Sequence, residues 1–154
     1  MPHEMPKPGP EHEELAALEG TWEGEEQLSP SPWGPGGKAR GRMTMKRDLE
    51  GFFVLQDYVE EKDGRVVYRG HGVLGFDPGA KAYTWYWVDS MGAPSQPTHG
   101  QWKGDTLVFT QTSARGDSRY TYRFETARRL EFRIESRSPG QDWQTFMTGT
   151  YDRR

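Results

Sequence analysis

The chain has 154 residues, which suits one domain, and its formal net charge of −3 comes from interspersed acidic and basic residues. Such a distribution provides no basic stripe that could neutralise phosphates, which argues against nucleic acid as a partner. Cysteine is absent, which excludes disulfides and a cysteine nucleophile, and the 13% aromatic content predicts a core of few, large side chains.

The N-terminal region is polar and rich in proline. It predicts a flexible segment over residues 1–9, followed by a single domain over residues 10–154. It contains no apolar signal-peptide core, and no later run approaches the ~20 apolar residues of a membrane span. We therefore expect a cytoplasmic protein with no membrane partner.

A short helix is predicted over residues 10–18. Proline stands first, acidic residues fill the first turn, where the helix dipole favours them, and Leu15 and Leu18 are spaced i, i+3. No other segment of the chain has a helical period.

Beyond Gly20 the apolar residues alternate with a period of two, which indicates β-strands. Turns such as Asp63-Gly64 and Pro139-Gly140 separate the segments. Because the links are short, neighbours in sequence are expected to pair in an antiparallel up-and-down meander. About ten strands are best closed into a lipocalin-like β-barrel, which removes the sheet edges; a two-sheet Greek-key sandwich is the rival. The predicted strands cover residues 21–28, 39–48, 52–61, 65–76, 81–89, 98–103, 105–113, 117–126, 129–138 and 143–152.

Two longer loops, residues 29–37 and 90–97, are rich in proline and glycine and carry the large apolar residues Trp33 and Met91. Ordinary hairpin loops need no such side chains. The loops are therefore candidate lids over one mouth of the barrel. The alternative is that Trp33 only anchors its loop on the barrel wall.

The alternation predicts an interior that is both aromatic and polar. Mixed linings of this kind are typical of ligand pockets, in which a few polar groups orient a largely apolar guest. We therefore predict binding of a small hydrophobic or aromatic ligand that enters past Trp33 and Met91. The residues placed inward are Gln56, Tyr58, Tyr83, Trp85, Trp87, Asp89, Gln111, Tyr120 and Tyr122.

His71 stands between Gly70 and Gly72, and glycines inside a strand leave open space around a neighbouring group. His71 and Asp89 fall on consecutive predicted strands, so an acid–base enzyme that uses this pair is an alternative function. The structural alternatives are that His71 bonds to a neighbouring strand and that Asp89 caps the following turn. Ser90 has no nucleophile elbow, which argues against a hydrolase.

No metal site or cofactor is predicted, because His71, His99 and Asp89 lack metal-ligand spacing. The candidate ligand-binding residues are Trp33, Gln56, Tyr58, His71, Trp85, Trp87, Asp89, Met91, His99 and Gln111. A third possible function is a protein-interaction or self-association module, and the chain is expected to be a monomer or a homodimer.

Arg40 and Arg42 alternate with Met43 and Met45 along the second predicted strand. We expect the arginines on the solvated outer face, paired with acids of neighbouring strands. In the alternative arrangement, Arg42 points inward and meets a carboxylate of the ligand.

The string Gly20-Thr-Trp22, placed after a short helix, resembles the Gly-x-Trp entry of lipocalin and calycin barrels. That resemblance implies that Trp22 plugs the closed end and that Arg153 or Arg154 stacks on it. The longer string Gly20-Thr-Trp-Glu-Gly24 resembles nitrobindin-like ten-stranded barrels, whose members hold haem on a late-strand histidine. No histidine follows His99, so haem is disfavoured; His71 or His99 would have to be its ligand.

A resemblance that covers nearly the whole chain is to the bacterial family DUF1579. It is carried by Lys7-Pro-Gly-Pro-Glu-His12, Pro30-Ser-Pro-Trp33, Tyr68-Arg-Gly-His-Gly72, Tyr86-Trp-Val-Asp-Ser-Met-Gly92 and Phe146-Met-Thr-Gly-Thr-Tyr151. The resemblance implies no activity, because that family is a domain of unknown function.

Overall fold

A computed structural model describes residues 3–154. Met1 and Pro2, which belong to the predicted N-terminal segment 1–9, lie outside the described residues. Within residues 3–154, ten antiparallel strands form a closed barrel behind one short helix, which confirms the predicted all-β fold class. No helix in this range is long and apolar enough to cross a membrane.

The helix α1 covers Pro10–Leu15 and continues as a 3-10 turn over Ala16–Leu18. No predicted strand end differs from the observed one by more than two residues. The strands are β1 Gly20–Leu28, β2 Gly37–Asp48, β3 Phe53–Lys62, β4 Arg65–Asp77, β5 Ala82–Asp89, β6 Thr98–Lys103, β7 Thr106–Ser113, β8 Gly116–Thr126, β9 Arg129–Arg137 and β10 Gln144–Arg153.

Each strand pairs with its neighbours in sequence, and β1 pairs with β10 to close the barrel. This is the predicted up-and-down meander. The two-sheet sandwich is wrong, because the short turns leave no chain for crossings and closure satisfies the backbone groups that sheet edges would expose.

The second strand shows how the alternation builds the wall. Ala39, Met43 and Met45 are buried inside the barrel, whereas Arg40 and Arg42 are exposed outside it. The two guanidinium groups lie 3.7 and 3.4 Å from carboxylate oxygens of a glutamate on β1. The expected outer-face role is confirmed, and no ligand inside the barrel can reach Arg42. Such exposed ion pairs contribute at most about 1 kcal/mol each.

Trp22 plugs one end of the barrel. Its ring is fully buried together with Leu15 and Leu18, and its Nε1 donates to the carbonyl of Leu18 over 2.9 Å. The guanidinium carbon of Arg153 lies 4.3 Å from the centre of the Trp22 ring. Burial of each leucine contributes roughly 1.5–3 kcal/mol. This end is therefore filled with side chains, as the lipocalin resemblance implied.

Candidate functional site

The opposite end of the barrel holds a cavity of about 930 Å³. Its mouth lies between the loop that follows β1 and the loop that precedes β6. The volume is in the range of pockets for small organic molecules. The wall is made mainly of aromatic and aliphatic side chains, among them Tyr68, Trp85, Trp87, Tyr120, Phe132, Ile134 and Phe146.

Eight of the ten predicted ligand-binding residues line this cavity, namely Trp33, Gln56, Tyr58, Trp85, Trp87, Asp89, Met91 and Gln111. The strand period explains this placement. On β3, β5 and β7 the cavity-lining residues alternate with residues that face outward. Their role in binding stays a prediction. The other two, His71 and His99, do not line it.

The two mouth loops present apolar side chains to solvent. Trp33 is 77% exposed and Met91 56%. A Trp that anchored its loop on the barrel wall would be buried, so the anchoring alternative is wrong. The loops are held by polar contacts instead: Lys62 Nζ donates to the carbonyl of Gly36 over 2.5 Å, and Gln111 Nε2 donates to Gln96 Oε1 over 3.3 Å.

Gln56 is a buried polar residue in the cavity wall. Its Oε1 accepts from Trp85 Nε1 over 3.1 Å, and its Nε2 donates to the hydroxyl of Tyr122 over 3.0 Å. The buried amide thus satisfies its polar atoms within the protein. Gln56 therefore fixes the orientation of the Trp85 ring in the cavity wall.

Asp89 stands at the rim and makes three kinds of contact. Its Oδ2 accepts from the hydroxyl of Tyr68 over 2.6 Å and from Trp87 Nε1 over 2.9 Å. Its Oδ1 accepts from the backbone N–H of Met91 over 2.9 Å. Asp89 therefore caps the turn after β5, as the structural alternative predicted, and also faces the aromatic wall.

The predicted pairing of His71 with Asp89 is wrong. In the register of β4 and β5, Gly70 lies opposite Asp89 and His71 opposite Val88. His71 and Asp89 therefore point to opposite faces of the sheet. The His71 side chain is 74% exposed outside the barrel, where its Nδ1 lies 2.5 Å from Asp57 Oδ1 of the neighbouring strand. This is the structural alternative for His71.

Gly70 and Gly72 make room for indole rings, and not for His71 as the sequence suggested. Both glycines face the interior because they alternate with His71. A Cβ on Gly70 would overlap the six-membered ring of Trp87, and a Cβ on Gly72 would overlap Gln56 Oε1 and lie 2.7 Å from Trp85 Nε1. The glycines let these rings lie close against β4.

His99 is exposed on the outer face of β6, between buried Thr98 and Gly100. The prediction that it lines the cavity is wrong, because it has the outward parity of its strand. His71 and His99, the two histidines considered as haem ligands, thus both lie outside the barrel.

Two buried acidic residues beside the cavity were not predicted from the sequence. Glu26 is fully buried, and one of its oxygens accepts hydrogen bonds from the hydroxyls of Tyr58 and Tyr151. Glu60 is 8% exposed, and its Oε2 lies 3.1 Å from the same Tyr58 hydroxyl. The strand period could have found both acids, because Glu26 shares the parity of Trp22 and Glu60 that of Gln56.

Glu26 keeps its proton at pH values well above those at which a carboxyl group usually ionises. Burial, together with a hydrogen bond to Glu60, raises the pKa of Glu26 to about 8, although the two phenol donors act in the opposite direction. At neutral pH Glu26 is therefore mostly protonated, and its second oxygen, Oε1, is buried and has no hydrogen-bond partner among the described residues.

A comparison with models of protein families matches nearly the full length of the chain. The family model described as "Protein of unknown function (DUF1579)" matches residues 7–153. The chain belongs to this family. The resemblance in the sequence motifs is thereby confirmed, and this DUF1579 protein has the lipocalin-like barrel that the motifs implied.

Two solved structures share the fold of this DUF1579 protein. Rv2717c from M. tuberculosis matches with a TM-score of 0.72 and 16% identity over 95% of this chain and 98% of that one. The S-type phycobiliprotein lyase CPES from Guillardia theta matches with a TM-score of 0.65 and 10% identity over 94% and 92%. At these identities the likeness establishes the fold alone. A comparison with curated proteins gave no match.

Proposed function

We propose that this DUF1579 protein binds a small, largely apolar or aromatic molecule inside its barrel. The observation that carries the proposal is the cavity of about 930 Å³ opposite the end that Trp22 fills. A small barrel that served only as a core would be filled by side chains along its whole length. Here one half is filled and the other half is open.

The aromatic wall is held in place without a ligand. The ring of Trp85 lies 5.5 Å from Phe109, 5.2 Å from Tyr120 and 5.9 Å from Tyr122, measured between centroids. Its indole N–H is satisfied by Gln56. A wall of this kind requires little ordering when a guest enters, which favours affinity. A phycobiliprotein lyase has the same fold, so a barrel of this kind can serve as more than a structural scaffold.

The test uses Nile red, a neutral apolar dye whose emission increases and shifts to the blue in an apolar site. We expect the wild-type protein to produce this change, and Trp87→Ala to weaken dye binding by about tenfold, since an interior aromatic wall is lost. The matched control is Tyr86→Ala, which removes a ring that is 44% exposed on the outer face of the same strand.

The outcomes of the dye experiment distinguish binding inside the barrel from binding on its outer surface. Unchanged affinity in Tyr86→Ala together with weakened affinity in Trp87→Ala supports binding inside the barrel. A folded wild-type protein that leaves Nile red emission unchanged contradicts the proposal. Equal loss in both variants places the dye on the outer surface and contradicts it as well.

No observation favours the acid–base enzyme built on His71 and Asp89, because the sheet separates the two side chains. Self-association stays a separate prediction, and sedimentation at several protein concentrations tests it.

A further inference from the structure

The cavity of the proposed function carries an excess of acidic groups. Among the described residues that line it, the charged ones are Glu60, Lys62 and Asp89, with Glu26 buried behind Tyr58. Lys62 is engaged with a loop carbonyl. Within residues 3–154 the lining includes no arginine, the residue that best matches a carboxylate or phosphate.

Glu60 is buried but short of hydrogen-bond donors. The Tyr58 hydroxyl has one proton, and its contact with Glu26 is closer than its 3.1 Å contact with Glu60. Among the described residues, Tyr58 is the one hydrogen-bond donor to Glu60. At 8% exposure it has little access to water. A carboxylate in this situation is costly unless a cation or further donors approach it.

Three aromatic rings that line the cavity, those of Tyr58, Tyr68 and Trp87, contact one another beside this carboxylate. A bulge brings Tyr68 directly opposite Glu60 in the register of β3 and β4. The ring of Tyr68 lies 5.9 Å from Tyr58 and 6.5 Å from Trp87, between centroids. Hydrogen bonds from Tyr68 and Trp87 also hold Asp89 beside the rings.

The acidic–aromatic cluster is defined here as Tyr58, Glu60, Tyr68, Trp87 and Asp89, all of which line the cavity. Aromatic faces attract cations through their quadrupole, and this attraction strengthens where water is excluded. Carboxylates add a direct Coulomb attraction at the same place. A fatty acid or another organic anion would meet repulsion from both.

We propose that the natural ligand is an organic cation, with a positively charged nitrogen on an apolar or aromatic body, and that the acidic–aromatic cluster holds the nitrogen. This inference rests on the proposed function and deepens it by naming the ligand class. The body of the ligand lies along the wall formed by Trp85 and Tyr120.

The test compares three probes with the same naphthalene body by isothermal titration calorimetry at pH 7. They are 1-naphthylmethylamine as the cation, 1-naphthalenemethanol as the neutral form and 1-naphthoate as the anion. We expect the cation to bind at least about tenfold more tightly than the alcohol, and the anion more weakly than both.

Two matched variants locate the preference. Glu60→Gln keeps the shape of the side chain and removes its charge, so the advantage of the amine over the alcohol should fall by about tenfold. Glu61→Gln removes the same charge from the next residue, which is exposed outside the barrel, and should preserve the advantage. Thermal unfolding confirms that each variant is folded.

The wild-type series remains decisive if Glu60→Gln does not fold. Equal affinity for the three probes, or the tightest binding by 1-naphthoate, overturns the cation inference and leaves the proposed function standing. Absence of binding by all three probes and by Nile red overturns both. A preference for the amine that survives unchanged in folded Glu60→Gln overturns the assignment to the cluster.

Discussion

Two glycines in β4 decide how the aromatic wall is built. Gly70 and Gly72 face the interior. The ring of Trp87 occupies the space of a Cβ at Gly70, and Gln56 Oε1 and the ring of Trp85 occupy it at Gly72. Neither glycine lies in the left-handed region of the backbone. Their requirement is therefore one of space and not of backbone conformation.

Substituting Gly70 should displace the ring of Trp87. In Gly70→Ala the new methyl group overlaps the indole, so the ring must leave Asp89, and we expect the free energy of unfolding to fall by roughly 1–3 kcal/mol. Urea unfolding and near-ultraviolet circular dichroism measure both effects. Gly34→Ala is the control, because a Cβ at Gly34 meets nothing within 4 Å. Wild-type stability and spectrum in Gly70→Ala would contradict this packing.

The last strand and the N-terminal helix are joined through Arg153. Its side chain donates to the carbonyls of Ala17, over 2.9 Å, and of Glu19, and its guanidinium covers the Trp22 ring. These carbonyls belong to the end of the 3-10 turn, which has no further helical partners for them. One side chain of β10 therefore closes the filled end of the barrel.

Replacing Arg153 should loosen this end. Arg153→Ala removes the cation–π contact and the donors to the turn, and we expect a loss of about 2 kcal/mol in the free energy of unfolding. Arg154→Ala, which removes only a surface pairing with Glu23 at 3.2 Å, should cost less than about 0.5 kcal/mol. Urea unfolding of the two variants tests the difference, and equal losses would show that the stacking contributes nothing.

At the scale of the whole molecule, the barrel is divided into a filled half and an open half. Trp22, Leu107 and Leu130 are fully buried in the filled half, which supplies much of the hydrophobic stabilisation. The open half instead contains buried polar groups, among them Glu26, whose ionisation opposes folding. We therefore expect the stability of the whole barrel to depend on pH through this carboxyl.

The raised pKa of Glu26 determines whether stability rises or falls with pH. Between its ordinary value of 4.5 and the folded value of about 8, the folded chain holds a proton that the unfolded chain has released. Stability should therefore fall as pH rises through this range, by on the order of 1 kcal/mol per pH unit. Urea unfolding from pH 5 to pH 9 should show this fall in the wild type and not in Glu26→Gln, which cannot ionise. Parallel pH profiles of the two proteins would contradict the raised pKa.

The site was predictable from sequence wherever the strand period held. The period of two predicted that Gln56, Tyr58, Trp85 and Trp87 face the interior, and all four line the cavity. The prediction for His71 is wrong because the space beside its two glycine neighbours holds the interior side chains, whereas His71 has the opposite parity and faces solvent. Glu26 and Glu60 were overlooked because acidic residues are usually exposed, and only their contacts with two tyrosines show how they are accommodated.

Period-two alternation and short turns are local properties, so the amino-acid sequence is enough to predict the ten strands, their antiparallel order and the plugged end. Which groups meet across the barrel depends on the closure of the sheet and is visible only in three dimensions. Glu26 of β1, Tyr58 of β3 and Tyr151 of β10 are distant along the chain and touch only when the sheet closes. The size of the cavity and the charge of its lining depend on the same closure, since they are sums over all ten strands.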